Sequence, residues 1–176
     1  MKPNSLQELY LEQLRDLYNA EQQIIEALPD MIDVASSPDL RDALSEHLEV
    51  TKEQVTRLEQ IFQTLGEKAK GETCKGMQGV IKEGSSLIGD IKDTDVRDAA
   101  IIASAQRVEH YEMAGYGTAR TYAEMLGHEE AAQLLQETLD EEKEADQALT
   151  DLAGKINPRA SSGKAASTKA DKRRVA

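Results

Sequence analysis

Tryptophan is missing from this chain, aromatic residues make up 3% of it, and only four of its 176 residues are proline. The positions are filled instead by Ala, Leu, Glu, Gln and Lys, a composition that favours helix over sheet. A single cysteine, Cys74, cannot form an internal disulfide, and the expected compartment is a reducing cytoplasm. No apolar run approaches the roughly 20 residues of a membrane span, and "MKPNSLQELY" lacks the apolar core of a signal peptide. The length suits one domain with a sizeable core.

Basic residues are also scarce, except at one end. The formal charge is −12, but seven of the 21 Lys/Arg lie from Lys155 onward, against one acid, Asp171. The body therefore carries 14 basic and 32 acidic residues, a balance of −18. Such a surface repels nucleic acid and membranes and attracts cations. The tail "RASSGKAASTKADKRRVA" is small, polar and basic, and is expected to be disordered. Residues 1–154 then form the bundle and 155–176 the tail, with a weak tail contact the one route to nucleic acid.

Hydrophobic spacing of three and four marks four long amphipathic helices. The first starts after Ser5, with Glu8 completing a capping box, and runs to the mid-thirties. Its stripe is Leu6, Tyr10, Leu14, Leu17, Glu21, Ile24 and Leu28, and Pro29 is expected to kink or interrupt it. The second runs from Pro38 to Leu65, closed by Gly66, with His47, Thr51 and Gln54 in its stripe. The third runs from Asp95 to Leu126, closed by Gly127, and the fourth from Glu129 to Leu152, closed by Gly154. Short connections make each pair an antiparallel hairpin. About 30 residues with a short helix near Glu72 to Ile88 join the hairpins, which is long enough to return the chain along the bundle. One long crossover between two hairpins is the ferritin-like four-helix connectivity.

Sliding the second hairpin onto the first by 91 positions places Leu44 on Leu135, Leu58 on Leu149 and Glu21 on Glu112. The polar interruptions of the stripes thereby share one level: Glu21, His47, Glu112 and Glu142, with Glu109 and Asp146 a turn away. Within "AQRVEHYEMAGYGTA", residues 105–119, this explains why a helix with apolar residues most of the way round also carries carboxylates. An isolated Glu on a stripe is more often a boundary residue reaching solvent. Four interruptions at one level strain that account, because several buried carboxylates need cations to offset them. Two iron or manganese ions per subunit suit a carboxylate-rich site with an imidazole. Taken singly, His47 fits a hydrogen-bonded core histidine as well as a ligand. His110 reads as a residue outside the ligand set, His128 as a cap residue, and Tyr18 as core or as a phenol beside the metal. Glu141, Glu144, Glu49 and Glu53 are expected on solvated faces.

The stretches "LRDLYNAEQQIIEALPDM", "HLEVTKEQVTRLEQIF", "DAAIIASAQRVEHYEMAGYGTA" and "AAQLLQETLDEEKEAD" resemble the YciE/YciF family of ferritin-like bacterial stress proteins, over about residues 5 to 153. The resemblance implies a ferritin-like bundle, usually dimeric and tied to stress responses. The wider ferritin-like pattern has a Glu on the first and third helices and Glu-x-x-His on the second and fourth. Glu21 and Glu112 match the single glutamates and Glu142 the bridging Glu of the fourth helix. Thr51, Gln54 and Ala145 stand where Glu, His and His would be. Three departures in six positions set the chain apart from the standard ferroxidase pattern, with Glu109, His47 and Asp146 as substitutes.

Two functions follow. One is a cytoplasmic homodimer with a dinuclear iron or manganese centre, turning over O2 or peroxide if redox-active. Glu21 and Glu142 would bridge the ions, and Glu109, Glu112, Asp146 and His47 would be terminal ligands. The other is a non-catalytic stress or scaffold protein whose site is structural or vestigial. Storage of iron in a cage is weaker, since the basic tail and the family likeness favour a small oligomer.

Overall fold

The computed structural model describes residues 3–171, with side chains to residue 162. Five helices follow in order: α1 Leu6–Val34, α2 Pro38–Thr64, α3 Lys75–Gly89, α4 Thr94–Met125 and α5 Glu129–Asp171. The α1–α2 and α4–α5 hairpins pack against each other, and α3, carried on the long crossover, lies against α4 and α1. This is the ferritin-like bundle.

The helix ends follow from local chemistry. Ser5 Oγ accepts from the Glu8 amide at 3.1 Å, and Asp93 caps α4 through the Val96 amide at 3.0 Å. In the capping box, however, Glu8 reaches the Asn4 amide. Gly66 and Gly127 have φ of +69° and +77°, left-handed values that a side chain disfavours. At both places the amide after the glycine bonds back across the last turn, Glu67 to the Phe62 carbonyl and His128 to the Ala123 carbonyl, each at 2.9 Å. His128 also stacks on Tyr10, with ring centroids 5.8 Å apart. Between α1 and α2 the buried Asp98 of α4 accepts from the Ser36 and Ser37 amides, both at 2.8 Å.

Two expected boundaries are corrected. Pro29 does not interrupt α1, which continues to Val34. The proline is exposed, while Leu28, Met31 and Ile32 around it pack into one core cluster. Gly154 does not close α5 either, and its φ is not positive. A helical glycine costs roughly 1 kcal/mol, which the burial of Ile156 just beyond it outweighs. Arg159 Nε then pairs with Asp95 at 3.2 Å, so the bundle extends past the expected boundary at residue 154. Of the tail expected to be disordered, residues 155–171 continue α5, and residues 172–176 lie outside the described residues.

The core comes in two apolar clusters. One gathers Ile24, Leu28, Leu40, Leu44, Ile101, Leu149 and Ile156; the other gathers Tyr10, Leu14, Leu17, Phe62, Tyr116 and Leu135. Between them lies a buried polar layer.

Candidate metal centre

Each helix of the bundle places polar side chains in this layer, and the 3.6-residue turn decides which. Glu21 lies between Leu17 and Ile24 on the buried face of α1. On α4, Glu109 and Glu112 are one turn apart and both buried, and Tyr116 follows Glu112 by one more turn. On α5, Glu142 is fully buried. His47 comes from α2 and is nearly buried, with Thr51 and Gln54 beyond it.

One ligand atom each from His47, Glu109, Glu112 and Glu142 falls within 4.8 Å of every other. His47 Nε2 stands 3.6 Å from Glu109 Oε1, too far for a hydrogen bond. Glu21 adjoins this group beside Glu112 and receives the Tyr116 hydroxyl proton in a hydrogen bond. Gln54 donates its amide to Glu142, and to Glu141 at 3.1 Å. Five buried carboxylate oxygens have no hydrogen-bond partner: Glu21 Oε2, Glu109 Oε2, Glu142 Oε2 and both oxygens of Glu112. His47 Nε2 is unpartnered as well.

The protonation states follow from this crowding. Burial, with repulsion from Glu142 second, pushes the Glu21 carboxyl up to about 8, against the hydrogen bond from Tyr116. Burial also holds Glu109 and Glu112 well above the usual carboxylate range. The nearby Glu142 adds to the shift of Glu109, and the charge of Glu21 to that of Glu112. His47 is lowered by burial, partly countered by Glu142 and Glu141, which favours the neutral imidazole that a metal needs. Tyr116 is pushed far up by burial and the charges of Glu21 and Glu112, so the phenol keeps its proton. A metal-free layer therefore holds protons where cations would otherwise sit.

The donor set fits a cation: oxygen-rich with one nitrogen, desolvated, and left with free lone pairs. Five of the six expected ligands are in or against the layer. Asp146 is the exception. It accepts from Gln106 at 3.1 Å and lies 3.4 Å from the exposed His110, at the edge of the bundle. One turn beyond Glu142, its carboxylate is taken up by Gln106 and His110 instead. Glu141 also departs from expectation. It is half-buried and held by both Arg57 guanidinium nitrogens, at 2.5 and 2.6 Å. Glu49, Glu53 and Glu144 are exposed, as expected. The phenol of the layer is Tyr116 and not Tyr18, whose hydroxyl donates to Glu59 at 3.0 Å. The i, i+4 spacing from Glu112 was the signal for Tyr116. Gln54 was legible only as a departure from a pattern, and its contact with Glu142 joins residues 88 apart.

Comparison with known proteins agrees with this architecture. The family described as "Domain of unknown function (DUF892)" matches residues 5–161. The chain is 43% identical to protein YciF of Escherichia coli (strain K12) over 154 residues, which is 87% of this chain and 93% of that protein. The crystal structure of the E. coli stress protein YciF is similar with a TM-score of 0.83, over 86% of this chain and 96% of that one. YcfI of Rhodopseudomonas palustris, provisionally described as a structural protein, is 48% identical. Its TM-score is 0.82, over 84% of this chain and 94% of its own. A Xanthomonas campestris protein at 21% identity, with a TM-score of 0.73 over 88% and 95% of the two chains, shares the fold.

Proposed function

The chain belongs to the YciE/YciF family, and from that premise we propose that it is a stress-response protein built around a dinuclear iron or manganese centre. The observation that carries this reading is the convergence of five unpartnered, buried carboxylate oxygens and one imidazole nitrogen on a single level. His47, Glu109, Glu112 and Glu142 would hold one ion, and Glu21 with Glu112 a second. The hydrogen bonds from Tyr116 and Gln54 occupy one oxygen each of Glu21 and Glu142. Glu112, whose oxygens have no hydrogen-bond partner, would contribute to holding both ions alongside Glu21 and Glu142. Asp146 drops out of the ligand set.

Such a pair of ions, if redox-active, would supply electrons to O2 or peroxide. The protein side of that chemistry is proton handling and exclusion of water. Glu21, Glu109 and Glu112 release protons as cations replace them, and Tyr116 fixes the orientation of Glu21. The proposal extends to a cytoplasmic homodimer; no helix among the described residues is long and apolar enough to cross a membrane.

A second reading, a non-catalytic protein with a structural or vestigial site, is favoured by Thr51, Gln54 and Ala145. There the layer offers a hydroxyl, an amide and a methyl group in place of ligands. Elemental analysis of protein purified without chelator separates the cases, with two iron or manganese ions per chain expected. Metal-free protein that binds neither ion on reconstitution would end the metal reading. Reconstituted Fe(II) should be oxidised on adding O2 or peroxide faster than in buffer. A bound Fe(II) that reacts no faster than buffer would leave the structural reading.

A further inference from the structure

Outside the set of candidate ligands, a chain of polar contacts joins α2 to α5 and ends on Glu142. Arg57 of α2 holds both oxygens of Glu141 on α5, at 2.5 and 2.6 Å. Its Nη1 also donates to Thr138 Oγ1 at 3.2 Å, and its Nε lies 3.8 Å from Glu137 Oε2. One turn earlier on α2, Gln54 donates through a single nitrogen, Nε2, to Glu141 Oε2 at 3.1 Å and to Glu142 Oε1. Gln54 and Glu142 are fully buried, whereas Arg57 and Glu141 keep some contact with solvent. The contacts thus lead from the surface into the polar layer.

The direction of each hydrogen bond follows from the groups. Carboxylate oxygens accept, and a primary amide carries two N–H groups on one atom and a carbonyl oxygen on the other. With a carboxylate oxygen on two sides, the Gln54 nitrogen gives one N–H to each. Turning the amide over would set oxygen against oxygen. Gln54 Oε1 is left buried without a partner, a desolvation cost that the two carboxylates impose. Glu141 imposes it only while its own position is fixed, and the planar fork of the Arg57 guanidinium fixes both of its oxygens. We infer that Arg57 and Glu141 are positioning residues that act through Gln54 to set the rotation of the Glu142 carboxylate, whose Oε2 has no hydrogen-bond partner and is offered to a cation. The inference rests on the metal reading, in which neither Arg57 nor Glu141 is a ligand. Partners that orient a ligand in this way typically govern roughly 10–100-fold in metal affinity.

The test titrates the full chain, freed of metal, with Mn(II), and records the visible absorption of bound Co(II). Coulomb interaction alone predicts that losing the Arg57 cation tightens metal binding. Positioning predicts the reverse, so Arg57→Met should weaken Mn(II) several-fold. Arg57→Lys keeps the charge and loses the fork, and should weaken it too. Glu141→Gln should weaken Mn(II) by about tenfold or more. Each variant should shift the Co(II) absorption, which a merely structural role would leave in place. Glu144→Gln removes the same charge from an exposed residue one turn from Glu141 and should alter neither readout. A last readout needs no metal, and it stands even if a variant fails to fold. In proton–nitrogen spectra, the side-chain amide signal lost in Gln54→Glu should have both protons downfield of the exposed glutamines. Gln54 protons at the exposed positions overturn the inference, as does tighter Mn(II) binding by Arg57→Met. Unchanged affinity and absorption in Arg57→Lys and Glu141→Gln also overturn it, and wild-type metal uptake then leaves the metal reading standing. Wild-type protein that takes up no metal overturns both.

Discussion

Glu112 is 1% exposed and has no hydrogen-bond partner for either oxygen, which makes it the most sensitive residue of the layer. Glu112→Gln keeps its shape and removes a ligand charge. Bound metal at a hundredfold excess over its dissociation constant stabilises a fold by about 2.7 kcal/mol. The substitution should abolish most of that gain and leave the metal-free protein at least as stable as before, by denaturant melts with and without Mn(II). An undiminished metal-dependent gain would put the site elsewhere. The same residues set a pH dependence. In the folded, metal-free protein Glu21 keeps its proton up to about pH 8, whereas the unfolded chain loses it near 4.5. Between those values the folded state binds more protons, so stability falls as pH rises, and the loss is complete above about 8. Glu109 and Glu112 act in the same direction. His47, lowered from 6.5, acts oppositely, but its contribution is complete above 6.5. Melting temperature in chelator should therefore fall from pH 6.5 to 8, and a flat or rising profile would contradict the buried, protonated layer. Metal uptake should release protons in the same window, measurable with an indicator dye in weak buffer.

At the level of elements, the crossover is where the fold depends on close approach. A Cβ on Gly71 would lie 2.7 Å from both the Arg15 carbonyl oxygen and the Asn19 Cβ on α1, and the carbonyl cannot yield. Next to it, Asn19 accepts from the Cys74 amide at 2.7 Å, tying the start of α3 to α1. Gly71→Ala should cost roughly 1–3 kcal/mol by overpacking, read from urea melts. A neutral result would mean that the crossover is not docked along α1. The helices themselves were legible from spacing and caps: Ser5, Gly66 and Gly127 act where local rules place them. Gly154 and Pro29 end no helix, for one reason. A glycine or proline signals a helix end through its own backbone, and Ile156 and Leu28 override that signal through burial against other helices.

For the molecule as a whole, charge and symmetry matter most. A body at −18 concentrates cations around a layer that lacks them, so metal uptake should slow markedly as salt rises from 0.05 to 0.5 M, on the order of the Debye screening of surface charge. An uptake rate independent of salt would show that field to be irrelevant. The proposed homodimer should sediment at about twice the 19.4 kDa chain mass. Sedimentation as a monomer at micromolar concentration would remove it. The internal repeat gives the bundle an approximate two-fold relation, yet the layer is unequal across it. Thr51 corresponds to Glu142, and Tyr18 to Glu109, so α4 and α5 supply three of the layer's carboxylates and α1 one.

The helices, their pairing into two hairpins, the long crossover and the level at which polar residues interrupt the stripes were all legible in the chain. Those follow from periodicity, caps and loop lengths, which are local. It also placed Glu21, His47, Glu109, Glu112 and Glu142 together, since a shared level on antiparallel helices is a matter of counting turns. Which of them face one another depends on how the helices pack. Asp146 turns to His110, Glu141 turns inward to Arg57, and Tyr116 rather than Tyr18 meets the layer. Each of these contacts joins side chains from different helices, so no single stripe records it.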